Sequence, residues 1–380
     1  MTQVYRALLV GTGGIAEHHV RAVEQLRGRV TLAAAVDIDP ARVNAFCARH
    51  KIPAAHTDYR TALQVERPDL VLVAVPPELH AQITIDGLRA GAWVLCEKPF
   101  CSSLAEFDRI EAAERAAPGR YAACVFQQRF ASSTTHLRRL IAEGVLGRPL
   151  VAVCNTVWFR DDAYYAVPWR GKWETELGGP TVGHGIHTMD HLLYLLGDWS
   201  EVRAQAATLD RDIEVEDVSM ALVRFANGAQ ASVINSILCP RQETYLRLDY
   251  QRATVELTHL YGYARENWRF TPVPGTPEET DRLVQAWENF PPDTPSAHGS
   301  QLAALLDDMA AGRRPLTSGD EARRTLEFLT AIYKSAFTGQ PVLRGSIRPG
   351  DPFYAVMHGG LRPWRAPDNR PRTAAVSAAR

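Results

Sequence analysis

Short, almost wholly apolar runs recur through the first third of the chain, at residues 7–10, 30–36, 69–75, 92–96 and 121–126. Runs of this length with no polar alternation predict strands buried on both faces. Helical periodicity fills the gaps: Ile15, His19, Ala22, Val23 and Leu26 fall on one helical face. Pro76-Pro77 stops the third run, and a helix follows through about Ala90, ended by Gly91. Ser102 or Ser103 is positioned to cap a further helix with Glu106 in its first turn. Strands alternating with helices predict a parallel sheet covered on both faces.

Past Arg129 the pattern changes. Helical signal runs over 132–143 and ends near Gly144. Strand-like segments follow at 150–159, 202–209, 218–225, 229–237, 245–250 and 254–258. Several alternate apolar and polar residues, and Asn227-Gly228 between two of them marks a tight hairpin. This predicts an α+β domain with a large, mostly antiparallel sheet, one face covered by helices and the other meeting solvent or another subunit. Residues 261–297, rich in Pro and aromatics, read as a long excursion, and helices are expected near 300–311 and 319–337. The expected division is a dinucleotide-binding domain over 1–126, a substrate-binding and oligomerisation domain over 127–361, and a mobile tail over 362–380.

A chain of 380 residues is long for one core, which agrees with two domains. The net charge of −1 gives no global field toward nucleic acid or an anionic membrane. The six cysteines are scattered without a C-x-x-C pair, as expected of a reducing cytoplasm, where they serve as small buried apolar residues. No secretory leader and no membrane span are read in the sequence.

The candidate chemistry begins directly after the first run. Gly11, Thr12, Gly13, Gly14, Ile15 and Ala16 form a glycine turn between a strand and a helix. Such a turn holds a dinucleotide pyrophosphate: Gly11 permits the tight turn, Gly13 lets backbone approach the phosphates, and small Ala16 lets helix and sheet pack closely. The second strand ends at Asp37, about 20 residues on, where a carboxylate accepts hydrogen bonds from the adenosine ribose. These features define a Rossmann-type domain. Its ligand edge also carries Val75, Pro76, His80, Glu97, Lys98 and Gln127. Lys98 in Glu97-Lys98-Pro99 is placed to stabilise a developing alkoxide or exchange a proton; a lysine simply paired with Glu97 is equally compatible. Pro99 restricts the chain, and its peptide bond is open to the cis form.

A second constellation runs from Gly178 to His191. Its histidines His184, His187 and His191 stand at i, i+3 and i+7, which predicts that they share a helical face, with Asp190 close by. Three imidazoles and a carboxylate could ligate zinc, but the glycine-rich setting and the nucleotide-binding turn favour acid–base work, so no metal is expected. His187 is the candidate base, and capping or core roles stay open for each histidine. Trp169-Arg170 upstream could cover a nicotinamide or bind a polar substrate. No G-x-S-x-G elbow is present, so a serine hydrolase is not indicated.

Taken together these motifs resemble the glucose–fructose oxidoreductase / inositol dehydrogenase (Gfo/Idh/MocA) family over nearly the whole chain. The glycine turn looks like that family's cofactor loop, residues 75–80 its strand-end motif, and Glu97-Lys98-Pro99 its signature tripeptide. Trp169-Arg170, Gly178-Gly179 and residues 185–190 look like its substrate-domain motif. The resemblance implies hydride transfer between NAD(P) and a sugar, polyol or related compound, with Lys98 at the reacting oxygen and His187 as acid/base. Arg170 and His184 join them as candidate substrate contacts. Asp37 argues for NAD over NADP, since no Arg follows it immediately. Homodimers or homotetramers built through the second-domain sheet are implied as well. One position departs from the pattern: Gly183 stands where many relatives carry an Asp four residues before the His. Two other readings fit the resemblance, a redox-neutral NAD-dependent glycosidase and a non-catalytic dinucleotide sensor.

Overall fold

The computed structural model describes residues 3–361. The expected mobile tail over 362–380 lies outside the described residues. In the first domain, strands β1 (Tyr5–Val10), β2 (Val30–Val36), β3 (Ala54–His56), β4 (Leu70–Val73), β5 (Trp93–Cys96) and β6 (Ala122–Cys124) form one parallel sheet in the order β3-β2-β1-β4-β5-β6. Leu8, Leu9, Leu70, Val71, Leu72 and Val94 are fully buried, as apolar runs without alternation require. Helices α1 (Ala16–Gln25), α2 (Pro40–His50), α3 (Tyr59–Glu66), α4 (His80–Arg89) and α5 (Leu104–Ala116) supply the crossovers. Strand order reverses between β1 and β4, so the crevice at their carboxyl ends is where such a sheet takes a ligand. Ser103, not Ser102, caps α5 by accepting from Glu106 N, while Glu106 reaches back to Ser102.

The second domain starts with α6 (Ser132–Ala142). Its sheet is built from β7 (Pro149–Phe159), β8 (Trp199–Ala207), β9 (Val218–Phe225), β10 (Gln230–Ser236), β11 (Leu238–Tyr250), β12 (Ala253–His259), β13 (Trp268–Pro272) and β14 (Val342–Leu343). The order is β13-β12-β11-β7-β10-β9-β8-β14, antiparallel except for the β10–β7 pair. The Asn227-Gly228 hairpin is present between β9 and β10, with Gly228 at φ +92°. Short helices α7 (Asp162–Tyr165) and α8 (Pro180–Gly183) precede α9 (Ile186–Leu196), which packs on β7. Alternation sorts β9: Ala221 and Val223 point into the core, whereas Met220 and Leu222 are 51% and 66% exposed on the open face.

Two features were not anticipated from the sequence. The 261–297 excursion is not structureless, for it contains β13 and a helix, α10 (Pro277–Glu288). Thr276 and Glu279 form a reciprocal capping box around Pro277, and Trp287 stacks on Phe270 of β13 at 5.0 Å. The chain also returns to the first domain. Helix α11 (His298–Ala311) packs on α1, burying Leu302, Leu305 and Leu306 with Val20 and Val23. Gln301 accepts from Phe126 N and donates to the Cys124 carbonyl. The long helix α12 (Asp320–Thr338) covers β8, and α13 (Pro352–Ala355) lies on α5.

A buried ion pair locks the domain junction. Arg129 is fully buried and donates to both oxygens of Asp190, at 2.8 and 2.6 Å, and to Glu321 of α12 at 2.5 Å. Thr325 also donates to Asp190. The linker, α9 and α12 are thereby tied to one guanidinium, and losing one partner of such a pair costs about 3–5 kcal/mol.

Candidate cofactor and substrate site

The glycine turn leaves β1 at Gly11, whose φ is +99°. A Cβ there would stand 2.4 Å from the Ala74 carbonyl oxygen, so β1 and β4 approach this closely only through glycine. At Gly13 and Gly14 the situation is the reverse, for a Cβ would meet no atom within 4 Å. That open space lies before the first turn of α1, where Ile15 offers no side-chain cap; Ala16 N and His18 N bond to the Gly13 and Ile15 carbonyls, and the positive end of the helix faces an incoming anion. Ala16 is fully buried against the sheet. Such a cradle fits a pyrophosphate. Asp37 Oδ2 accepts from Thr12 N and Oγ, at 3.1 and 2.7 Å, and Oδ1 accepts from Asp39 N. Burial alone would favour the neutral acid, but these hydrogen bonds outweigh it and hold the carboxyl below its usual range.

The strand-end loops after β4 and β5 are fastened together. His80 is buried, with Nδ1 2.6 Å from the Pro99 carbonyl and Nε2 2.9 Å from that of Val75. Both ring nitrogens are occupied by backbone. His80 therefore shapes the loops that carry half-buried Val75 and Pro76. Glu97 is buried as well. Its Oε1 accepts from Nε2 of His19 on α1 at 3.1 Å and of His298 on α11 at 2.8 Å. Burial opposes its charge, and the two imidazoles win, so the carboxyl sits well below its usual range. The Lys98–Pro99 bond is cis. Lys98 thus stands at the end of a braced segment. Its Nζ donates 2.8 Å to the carbonyl of Gly183 in the second domain.

The glycine-rich 178–185 segment earns its composition through packing. A Cβ on Gly179 would lie 1.8 Å from the Glu216 carbonyl oxygen, and one on Gly185 would lie 1.9 Å from Asn235 Oδ1. Buried Glu216 accepts from Gly179 N, Thr181 N and the Tyr333 hydroxyl. This pins α8 to the sheet and sets where α9 begins.

The predicted common face of His184, His187 and His191 does not form. The helix breaks between α8 and α9, so His184 leaves the α9 face and stands against Trp158, with Nε2 3.4 Å from the Tyr164 hydroxyl. His191 is fully buried, 3.0 Å from Thr134 Oγ1 and stacked on Tyr263. Asp190 is committed to Arg129. His187, in the first turn of α9, is half-buried, and its Nδ1 has no protein partner. Burial and then the Lys98 charge push its pKa down to about 3, so the imidazole is neutral at ordinary pH. The same causes, joined by Arg160 and Arg170, hold His184 well below the usual range. Burial lowers the Lys98 pKa, while the Glu97 and Glu176 carboxylates pull it back.

Arg170 lies between rings, 4.5 Å from the centroid of Trp169 and 3.8 Å from that of Tyr164. It donates to the Tyr164 hydroxyl, and its Nη1 is 3.4 Å from Glu176. Arg170 is therefore grouped with His184 on the second-domain side. Gln127 opens the linker turn, its Oε1 buried without a protein partner. Sequence reasoning missed His19 and His298 as partners of Glu97, and missed Tyr164 and Glu176. His19 had one signal, a histidine on an otherwise apolar helical face. His298 had none, since α11 arrives from the far end of the chain.

Residues 5–123 match the model described as oxidoreductase family, NAD-binding Rossmann fold, and residues 134–272 match the GFO/IDH/MocA C-terminal domain. The chain belongs to the Gfo/Idh/MocA oxidoreductase family. D-apiose dehydrogenase of Paraburkholderia graminis is 25% identical, over 94% of this chain and 94% of its own. A putative UDP-kanosamine synthase oxidoreductase subunit of Amycolatopsis mediterranei is 28% identical over 87% of this chain and 96% of its own. The WlbA dehydrogenase of Bordetella pertussis, solved with NADH and UDP-GlcNAcA, superposes with a TM-score of 0.79 at 27% identity, covering 90% of this chain and 99% of that one. As a member of this family the protein is an NAD-binding oxidoreductase.

The adenosine end then gives a direct expectation. Asp37 would bind the ribose hydroxyls and repel a 2′-phosphate. No Arg follows it immediately, yet the fold brings Arg42 of α2 to 3.6 Å from Asp37 Oδ1, with its side chain 57% exposed. Asp37→Ser should remove the repulsion and leave that cation in place. The KM for NAD should rise about tenfold and that for NADP should fall, a difference of at least about 1.4 kcal/mol each way. Steady-state kinetics with both cofactors reads this, and an unchanged NAD/NADP ratio would remove Asp37 from the ribose site.

Proposed function

We propose that this chain transfers a hydride between NAD and a sugar, polyol or related hydroxy or keto compound, with Lys98 and His187 acting at the reacting oxygen. The observation that carries this reading is the bond from Lys98 Nζ to the Gly183 carbonyl. It brings the lysine of the cofactor domain to the segment that leads into His187, at the edge where the glycine turn also opens. Bound NAD supplies the hydride acceptor, nicotinamide C4. Neutral His187 can take the hydroxyl proton as the alcohol is oxidised, and the Lys98 ammonium stabilises the alkoxide that forms. Arg170 and His184 lie on the side where a polar substrate would enter. The named activities of the relatives support the substrate class, and the UDP-GlcNAcA complex of WlbA extends it to nucleotide sugars.

The test is NADH absorbance with free pentoses and hexoses, inositols and UDP-N-acetylglucosaminuronic acid, run in both directions. Net NADH formation with one class supports the proposal. Sugar release without net NADH would replace it by a redox-neutral glycosidase. Tight NAD binding with neither would replace it by a sensor. Among the described residues no helix is long and apolar enough to cross a membrane. The open sheet face bearing Met220 and Leu222 fits a second copy of the chain. Sedimentation equilibrium checks this, and a monomer at micromolar concentration would count against it.

A further inference from the structure

Glu176 is a buried carboxylate, 6% exposed, that the mechanism above does not use. It sits at the end of the loop that precedes α8. Its Oε2 accepts from Gly171 N at 2.6 Å, and its Oε1 lies 3.4 Å from Arg170 Nη1. Among the described residues outside its own helix turn and chain neighbours, the same Oε1 is the one atom within 4 Å of where a Cβ on Gly183 would stand, at 3.8 Å. Gly183 is also the residue whose carbonyl receives the Lys98 ammonium. The carboxylate therefore lies at contact distance from where a side chain at 183 would begin, beside the peptide that holds the lysine. Position 183 carries no carboxylate in this chain, and the one from position 176 comes next to the same peptide.

We infer that Glu176 is a positioning residue for Lys98, supplying from the adjoining loop the negative charge that keeps the ammonium charged and held at Gly183. This rests on Lys98 being the group at the reacting oxygen. The charges around the pair agree with it. Lys98 faces Glu97 on its own loop, Glu176 and Arg170 across the cleft, Cys124 on β6, and the imidazoles of His80, His184 and His187. Glu97 is already shared by two imidazoles, so Glu176 is the second carboxylate acting on the lysine. Glu176 in turn faces Arg170, Lys98, Glu216, Tyr164, Tyr165 and Tyr333. Burial and Glu216 push its pKa up, while the Gly171 N–H, Arg170 and Lys98 pull it back.

The experiment needs no substrate. The chain has four lysines, Lys51, Lys98, Lys172 and Lys334, so the acetic anhydride reactivity of Lys98 can be followed by peptide mass spectrometry against three internal controls. Only the neutral amine reacts. In the NAD-loaded protein, Glu176→Gln keeps an acceptor for Gly171 N but removes the charge. It should move the reactivity onset of Lys98 about one pH unit lower and leave the other three lysines unmoved. Adding Gly183→Asp should return the onset toward the parent, since a Cβ there meets only Glu176 Oε1, at ordinary contact distance. Glu176→Asp, which keeps the charge, should stay near the parent even if Glu176→Gln folds poorly. An onset unmoved in Glu176→Gln, no return with Gly183→Asp, or a full shift in Glu176→Asp would each overturn the inference. Turnover separates this from the reading beneath it. If Lys98→Met is inactive and the onset does not move in Glu176→Gln, only the inference fails. If Lys98→Met is fully active, the catalytic reading fails whatever the onset does.

Discussion

Replacing Lys98 by methionine should cut turnover by about 10²–10⁴-fold and leave NAD affinity within a few-fold of the parent. Methionine keeps most of the side chain's volume, so the braced Glu97–Pro99 segment should persist. What is lost is the ammonium, which donates to Gly183 and stands between the two domains. His187→Gln should fall by a similar factor, because a glutamine amide cannot take a proton. With the parent imidazole pushed down to about 3, His187 stays neutral across ordinary pH and contributes no limb of its own. The pH dependence of alcohol oxidation should therefore belong to Lys98. Rate is lost as pH rises through a lysine pKa that burial has lowered, and that limb should vanish in Lys98→Met. The measurement pairs steady-state kinetics, on whichever panel compound gives NADH, with NADH binding by fluorescence. Near-parental turnover in both variants would remove them from the chemistry.

Much of this was legible in the sequence, for physical reasons that differ by region. The first domain reads well because its strands are buried on both faces and its turns need glycine: the run over 30–36 is β2 to the residue. Both constraints are local. Alternation in the strand later found over 218–225 worked equally well. The candidate site was legible only in part. The glycine turn announces itself by local spacing, Lys98 and His187 stand out through the resemblance of their motifs to the family, and the fold does bring Lys98 to the segment ahead of His187. The shared face of His184, His187 and His191 failed because Glu216, 25 or more residues later in the chain, anchors Gly179 and Thr181 and breaks the helix between Gly183 and Ile186. His298 and Glu176 were invisible for a similar reason: each acts on a residue that only tertiary packing brings near. Arg42 was overlooked because adjacency in sequence was used where a helix turn supplies adjacency in space. The excursion over 261–297 did carry a readable signal, Thr276-Pro277-Glu278-Glu279, which the density of prolines and aromatics obscured.

The sharpest separation of fold from function lies two residues apart in the glycine turn. Gly11→Ala should destabilise the protein by about 3 kcal/mol or more. It places a Cβ 2.4 Å from the Ala74 carbonyl oxygen and forces an L-residue to φ +99°, and strain and overpacking each contribute about 1–3 kcal/mol. The overlap is with backbone of β4's exit, so no side chain can swing away to relieve it. Gly13→Ala should behave oppositely. Its Cβ meets nothing within 4 Å, so stability should stay within about 0.5 kcal/mol of the parent. That free volume is where a pyrophosphate would come close to backbone, so the methyl should weaken NADH binding by at least about tenfold, a loss of about 1.4 kcal/mol. Thermal denaturation with and without NADH reads both at once. The midpoint of Gly11→Ala falls in the absence of ligand. Gly13→Ala melts like the parent alone but gains little from NADH, because ligand stabilisation follows the affinity lost. If Gly13→Ala were stabilised by NADH as strongly as the parent, the open side of the turn would not hold the phosphates. The placement of Lys98 and His187 against the nicotinamide would then lose its anchor, because every distance along the cofactor is counted from that turn.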